Sequence, residues 1–340
     1  MIKSALCVFL FFLCGFARAH FDDAYNHWSS IPASFGNKSW MRLLSDQERI
    51  DRISIPGTHD SAALYGGDAV ETQSASITAQ LNAGVRFLDI RLKHISNVFA
   101  IHHGPFFQKQ FFGDVLNQVT CFLQENPTEF VLMRVKKEQD DENSTRDFED
   151  TFADYVNKYS NVIFQSRGHY YFPSISEARG KIIILDETTT SGKYPPFGIK
   201  YPQAFNIQDE YKVSSNWGLY GKWEKVKRKL EQSSGGERKT INFLSASHGS
   251  FPYFIASGHS SNGTSAPRLA TGLTTPGWNN TYPDFPRVDC FIGICTIAFE
   301  GTNTLTKDWI LKNKPVYTGV IVADFIGGGL IDAVIHSNFR

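Results

Sequence analysis

A chain of 340 residues with 41% hydrophobic and 20% charged side chains, split evenly into 34 basic and 34 acidic, has no excess of positive charge to draw it to nucleic acid or strongly to anionic lipid. Any membrane contact must therefore be largely hydrophobic. The length suits one barrel or two ordinary domains, and with no linker-like composition shift, low-complexity run or internal repeat, one domain is the expectation.

Residues 1–19 read as a secretory signal. Lys3 gives a positive start, residues 5–16 form an apolar core too short to span a bilayer, and Ala17-Arg18-Ala19 is a small-x-small cleavage site. Residues 20–340 are then a secreted single domain. No later run has spanning length, and the C-terminus lacks the hydrophobic tail of a lipid-anchor signal. The signal removes Cys7 and Cys14. Cys290 and Cys295 flank four residues and suit a small-loop disulfide in an oxidising compartment, whereas Cys121, among Val119, Phe122 and Leu123, reads as a core thiol. Acceptor patterns at Asn37, Asn143, Asn262 and Asn279 permit N-glycosylation in a secretory path.

Strand-like runs are expected at 53–55, 85–92, 98–102, 130–135, 181–185, 240–245 and 319–325. Between them Val115, Leu116, Val119, Phe122 and Leu123 follow helical spacing up to Asn126-Pro127. Phe148, Phe152, Tyr155, Val156 and Tyr159 do the same, as do Trp223, Val226 and Leu230. Such alternation predicts an α/β fold with a mainly parallel sheet, open or closed. The strand faces favour closure. Leu88, Ile90 and Leu92 oppose Asp89 and Arg91, and Val131, Met133 and Val135 oppose Arg134, Lys136 and Glu138. An open doubly wound sheet needs both faces apolar, while barrel strands turn polar where they open into an active site. The expectation is a single distorted (β/α) TIM-like barrel.

Within Ser54-Ile55-Pro56-Gly57-Thr58-His59-Asp60-Ser61, the Pro-Gly pair stops an apolar strand and presents His59-Asp60 at its end, as a general base is presented. Asp89 and Arg91 share one strand face, and Ile101-His102-His103-Gly104-Pro105 follows. A carboxylate-supported His, an Arg and a second His are the parts needed to cleave a phosphodiester without a metal. His102 falls on the alternate face from His103 and reads as a packing residue.

These blocks run in order with Trp40-Met41, Lys136-Lys137-Glu138, Ala178-Arg179-Gly180-Lys181-Ile182, Asp209-Glu210-Tyr211-Lys212-Val213 and Val320-Ile321-Val322-Ala323-Asp324. Together they resemble the X-domain family of phosphatidylinositol-specific phospholipase C, in its small metal-independent bacterial form. The resemblance implies a distorted (β/α) barrel that cleaves phosphatidylinositol, or a glycosylphosphatidylinositol anchor, to diacylglycerol and inositol 1,2-cyclic phosphate. It makes His59 the base backed by Asp324 and His103 the acid supported by Asp60. Arg91 holds the phosphate, oriented by Asp89, and Lys136, Asp209 and Tyr211 bind the inositol. No cofactor or metal is expected, because calcium-dependent relatives need a cluster of acids where Arg91 stands. The partner is a membrane surface carrying the lipid, and the enzyme is expected to be a monomer.

Two departures from the bacterial pattern stand out. Asp186-Glu187 replaces a basic pair whose Arg touches inositol, so acids near the ring should disfavour phosphorylated headgroups. The Gly/Ser-rich segment 249–262 lacks the bacterial Trp but offers Phe251, Tyr253 and Phe254 for membrane contact, whereas Phe111-Phe112 reads as packing. Two other classes compete: an inactive lipid- or glycan-binding protein on the same fold, and a metal-dependent phosphodiesterase on a related barrel.

Overall fold

In the computed structural model, which describes residues 22–188, 191–260 and 268–340, the first regular elements are β1 (Ile55–Thr58), α1 (Ile77–Ala83) and β2 (Phe87–Ile95). A hairpin of β3 (Val98–His103) and β4 (Phe106–Phe111) leads into α2 (Phe112–Glu125) and β5 (Val131–Lys137). Helices α3 (Phe148–Lys158) and α4 (Ile175–Ala178) precede β6 (Ile182–Asp186) and the short strands β7 (Ile199–Lys200), β8 (Asn206–Gln208) and β9 (Lys212–Val213). Helix α5 (Leu219–Ser234) returns to β10 (Thr240–Phe243), β11 (Ser247–His248) and α6 (Pro252–Ser257). An antiparallel excursion of β12 (Ala270–Thr274), β13 (Arg287–Phe291) and β14 (Ile294–Ala298) separates α6 from α7 (Thr302–Asn313); β15 (Val320–Ala323) and α8 (Gly328–His336) follow. The predicted signal segment and Asn262 lie outside the described residues.

The main sheet runs β7-β6-β5-β2-β1-β15-β10-β8 with every neighbour parallel. Helices lie on the connections β1–β2, β2–β5, β5–β6, β8–β10 and β10–β15, whereas β6, β7 and β8 follow one another without one. The sheet curls into a distorted (β/α) barrel whose end strands β7 and β8 are not paired among the described residues. At the centre, Gly57 has no substitute: a Cβ there would come within 2.8 Å of Phe87 Cβ on the adjoining strand. The apolar faces read from the sequence are the buried ones, with Leu88, Ile90, Leu92, Met133 and Val135 all in the core.

Several elements differ from expectation. Cys121 is exposed, with Sγ 4.0 Å from Glu125 Oε1. It sits one position off the stripe that α2 buries, so apolar neighbours in sequence are not neighbours in space. Strand β4 is not among the expected runs, because its alternation runs the unusual way round, with Gln108 buried and Phe106, Phe107 and Phe111 half-exposed. Phe111 is thus not core, although Phe112 is. The Asn37 side chain is buried, and its amide donates to Ala83 O and Asp332 Oδ1, which leaves no nitrogen for a glycan. Asn143 and Asn279 are exposed. Cys290 and Cys295 are bonded across the β13–β14 turn.

Candidate active site

Beyond Thr58 the chain turns through His59 and Asp60, the latter at φ 38°, a left-handed conformation that needs support from its surroundings. That support is a set of bonds joining three strand ends. His59 N donates to Ala323 O at 3.0 Å, and Ser61 N donates to Asp89 O at 2.8 Å. The buried Gln73 amide donates to His59 O at 3.0 Å and to Ala323 O at 2.9 Å. β1, β2 and β15 thereby deliver their polar residues to one point.

His59 Nδ1 lies 2.8 Å from Asp324 Oδ1, which only accepts, so Nδ1 carries the proton. Nε2 then accepts from Arg91 Nη2 at 2.7 Å. Burial is the largest influence on the imidazole and lowers its proton affinity, and Arg91 adds to that. The Asp324 carboxylate, through charge and hydrogen bond, together with the charge of Asp89 sets the net direction upward from 6.5.

Arg91 is surrounded by acids: Asp60 Oδ2 at 3.5 Å, Asp89 Oδ2 at 3.4 Å and Glu138 Oε1 at 3.5 Å. Asp89 bridges two guanidinium groups, its Oδ1 lying 3.2 Å from Arg134 Nη1, and it also accepts from Asp60 N at 3.1 Å. Burial alone would raise the Asp89 pKa, but Arg134 and Arg91 together hold it far below the usual carboxylate range. Asp60 is its opposite. Buried, and with neither carboxylate oxygen hydrogen-bonded, it is pushed up to about 6 despite the nearby Arg91 and His103.

His103 Nδ1 is 2.7 Å from Val70 O and 3.4 Å from Asp60 Oδ2. The hydrogen bond is to the carbonyl, so Asp60 supports this ring by charge rather than by direct bonding. Its Nε2 is the nitrogen left for a substrate. Glu138 Oε1 accepts from Gly104 N at 3.0 Å, tying the His103 turn to the Arg91 cluster. His102 is buried against Phe107, ring centroids 5.7 Å apart, in line with its reading as packing.

His59, Arg91, His103, Lys136, Asp209, Tyr211 and Asp324 all line one cavity of about 290 Å³. Asp60 and Asp89 stand behind it. Three lining or supporting residues were not singled out from sequence. Arg134 lines the cavity beside Lys136, packed 4.5 Å over the Tyr201 ring and bonded to Glu187 at 2.8 Å. Its signal was present in the polar alternation Arg134, Lys136, Glu138. His248 lines the same cavity with its ring 5.5 Å from that of Tyr211. Lys222 is buried, with Nζ donating to Gln208 Oε1 and Glu210 O, and burial pulls its pKa down to about 7. No sequence pattern separates such a lysine from the surface lysines of a helix.

Other expectations need correcting. Tyr253 and Phe254 are 3% and 1% exposed, because α6 turns them onto Phe325 and Phe299; of the proposed membrane aromatics only Phe251 is exposed, at 48%. Asp186 does not face the ring site freely: it is buried and accepts from Thr188 N and Oγ1, while Glu187 is held by Arg134. Among the described residues no group of three or more His, Cys, Asp or Glu is arranged as a metal-ligand set, and no helix is long and apolar enough to cross a membrane.

Residues 55–188 match the family of the phosphatidylinositol-specific phospholipase C X domain. The chain is similar to 1-phosphatidylinositol phosphodiesterase of Listeria monocytogenes, 31% identical over 259 residues that span 71% of this chain and 78% of the relative. It is also similar to the Staphylococcus aureus protein of the same name, at 29% identity over 62% of this chain and 76% of that one. The solved phosphatidylinositol-specific phospholipase C of Listeria monocytogenes superposes with a TM-score of 0.63 at 25% identity, covering 89% of this chain and 98% of that one. A Staphylococcus aureus phosphatidylinositol-specific phospholipase C gives 0.66 at 23%, covering 89% and 98%. With this identity, coverage and shared barrel, the chain belongs to the phosphatidylinositol-specific phospholipase C X-domain family.

Proposed function

We propose that this protein is a metal-independent phospholipase C that cleaves phosphatidylinositol, or an anchor built on it, to diacylglycerol and inositol 1,2-cyclic phosphate. His59 Nε2 takes the proton of the inositol 2-hydroxyl as its oxygen attacks phosphorus. The bond from phosphorus to the glycerol oxygen breaks, and His103 Nε2 returns a proton to that oxygen. Arg91 steadies the charge on the phosphate, which a guanidinium does by paired charge-assisted bonds. Lys136, Arg134, Asp209 and Tyr211 hold the inositol ring by hydrogen bonds and stacking.

The observation that carries this reading is two histidines and an arginine around one cavity, each set by a buried carboxylate or carbonyl. Asp324 fixes the tautomer of His59, and the contact of Arg91 with Nε2 keeps that lone pair directed at the place where the phosphate binds. A phosphate drawn to Arg91 would displace that contact and free the base. The guanidinium at this place argues for catalysis without a metal, since it would repel a cation and supplies the charge itself.

The same reading makes residues 20–340 one secreted, monomeric barrel after removal of the signal, working at a membrane surface. The test is turnover of phosphatidylinositol vesicles in excess EDTA, followed by phosphorus NMR. A cyclic phosphodiester resonance at an undiminished rate supports it. No turnover, or turnover restored only by calcium, overturns it.

A further inference from the structure

Asp209 and Tyr211, which line the cavity, belong to a stretch with little strand support. It leaves β8 after Gln208, and β8 is an end strand of the main sheet, paired only with β10 among the described residues. Beyond it β9 has a two-residue ladder with β11, and Ser247 N donates to Tyr211 O at 2.8 Å. Between these ladders one side chain reaches in from α5. Lys222 Nζ donates to Glu210 O at 3.0 Å and to Gln208 Oε1 at 3.3 Å. Gln208 Oε1 also accepts from Glu210 N at 2.8 Å, and its Nε2 donates to Asn242 Oδ1 at 2.8 Å and to Phe243 O at 2.9 Å. Asn242 Nδ2 donates in turn to Val226 O at 3.0 Å, one helical turn on from Lys222. α5, β10 and the turn after β8 are thus bonded into one polar unit. Phe243 of that unit sets its ring against His59, centroids 6.1 Å apart.

A lysine at this position is costly. α5 buries Leu219, Trp223, Val226 and Leu230, and Lys222 stands on the same stripe, 2% exposed. An apolar side chain would fill the place without burying an amine. Burial lowers the pKa of Lys222 to about 7, against the opposing pull of Asp209, Asp324 and Glu210. Both hydrogen-bonded partners are uncharged oxygens, and the Glu210 carboxylate turns away to Lys225 at 3.1 Å. What the amine secures is the backbone of Glu210, between two residues of the cavity. We infer that Lys222 is a positioning residue for the proposed reaction: it braces the turn at the open edge of the barrel and so presents Asp209 and Tyr211 to the inositol ring. The inference rests on the proposed reading of the cavity as an inositol site. Asp209 and Tyr211 flank the braced carbonyl, so a slack turn would misplace both at once.

Hydrogen exchange and calorimetry on Lys222→Met test this. Its Tm at pH 7 should not fall, because methionine suits the buried stripe. Amides of residues 209–213 should exchange at least about tenfold faster than in the parent, while those of β5 stay unchanged. Affinity for myo-inositol 1-phosphate should drop roughly 5- to 20-fold, one lost hydrogen bond being passed on to two ligand contacts. Because the lysine acts through its neighbours, Lys222→Met combined with Asp209→Ala should cost less than the product of the two separate losses. Lys222→Gln, one bond shorter and still polar, should lose affinity and protection in the same way, which covers a methionine variant that does not fold. Unchanged exchange, unchanged affinity or fully multiplicative losses overturn the inference. If exchange rises but the parent itself binds no inositol 1-phosphate, the brace stands and the reading of the cavity as an inositol site fails.

Discussion

Arg91 Nη2 donates to His59 Nε2 at 2.7 Å, so the group that would hold the phosphate and the group that would act as base share one hydrogen bond in the free protein. Asp324 on the far side of the ring and Asp89 behind the guanidinium keep both in place. In the proposed mechanism this contact would couple phosphate binding to release of the base.

The coupling has a pH signature. A base must be unprotonated, so kcat/KM falls as pH drops through the His59 pKa, which lies above 6.5. Arg91 lowers that pKa. Arg91→Ala should therefore move the acid limb to higher pH, besides cutting kcat/KM roughly 10²–10³-fold through loss of charge stabilisation. Arg91→Lys keeps the charge and should leave the limb in place while the rate still falls. A limb that moves equally in both variants contradicts the contact.

Headgroup selection should run through Arg134. Glu187 holds its guanidinium at 2.8 Å, so the acid acts on the cavity by occupying a cation rather than by repelling a phosphate directly. Glu187→Gln should raise the ratio of kcat/KM for phosphatidylinositol 4-phosphate over phosphatidylinositol severalfold, whereas Asp186→Asn should leave it unchanged. Measured in mixed micelles, an unaltered ratio in Glu187→Gln would remove this segment from headgroup choice.

Lys222 gives a stability prediction. Its pKa is about 7 folded and 10.5 unfolded, so between these values the unfolded chain binds more protons and stability rises with pH. The cost of the buried amine is greatest below pH 7 and fades towards pH 10.5. The difference in Tm between Lys222→Met and the parent should shift in favour of the parent as pH goes from 7 to 10. A constant difference would show that the lysine is charged in the fold throughout.

The sequence carried the barrel because β2 and β5 alternate so regularly: Asp89, Arg91, Arg134 and Lys136 fall on one face by their spacing alone. The two histidines were legible because each sits at a strand end, His59 just after β1 and His103 as the last residue of β3 before Gly104, although Pro56 and Gly57 lie inside β1 rather than stopping it as expected. Less visible were features set by contacts distant in sequence. Whether His103 bonds Asp60 or Val70 O depends on how the loop after β1 folds back, and that is fixed by Gln73 and Gln108, neither of which stands out locally. Tyr253 and Phe254 looked like loop aromatics because the short helix α6 has only six residues, too few to show a period.

The assignment of base and acid is the central claim, and a leaving-group experiment tests it most directly. His59→Ala and His103→Ala should each lower the rate on phosphatidylinositol at least about 10²–10⁴-fold. On a p-nitrophenyl inositol phosphate, whose leaving group needs no proton, His103→Ala should recover most of its loss and His59→Ala should not. Recovery of both variants to the same extent, or of His59→Ala alone, would contradict the roles given to the two histidines.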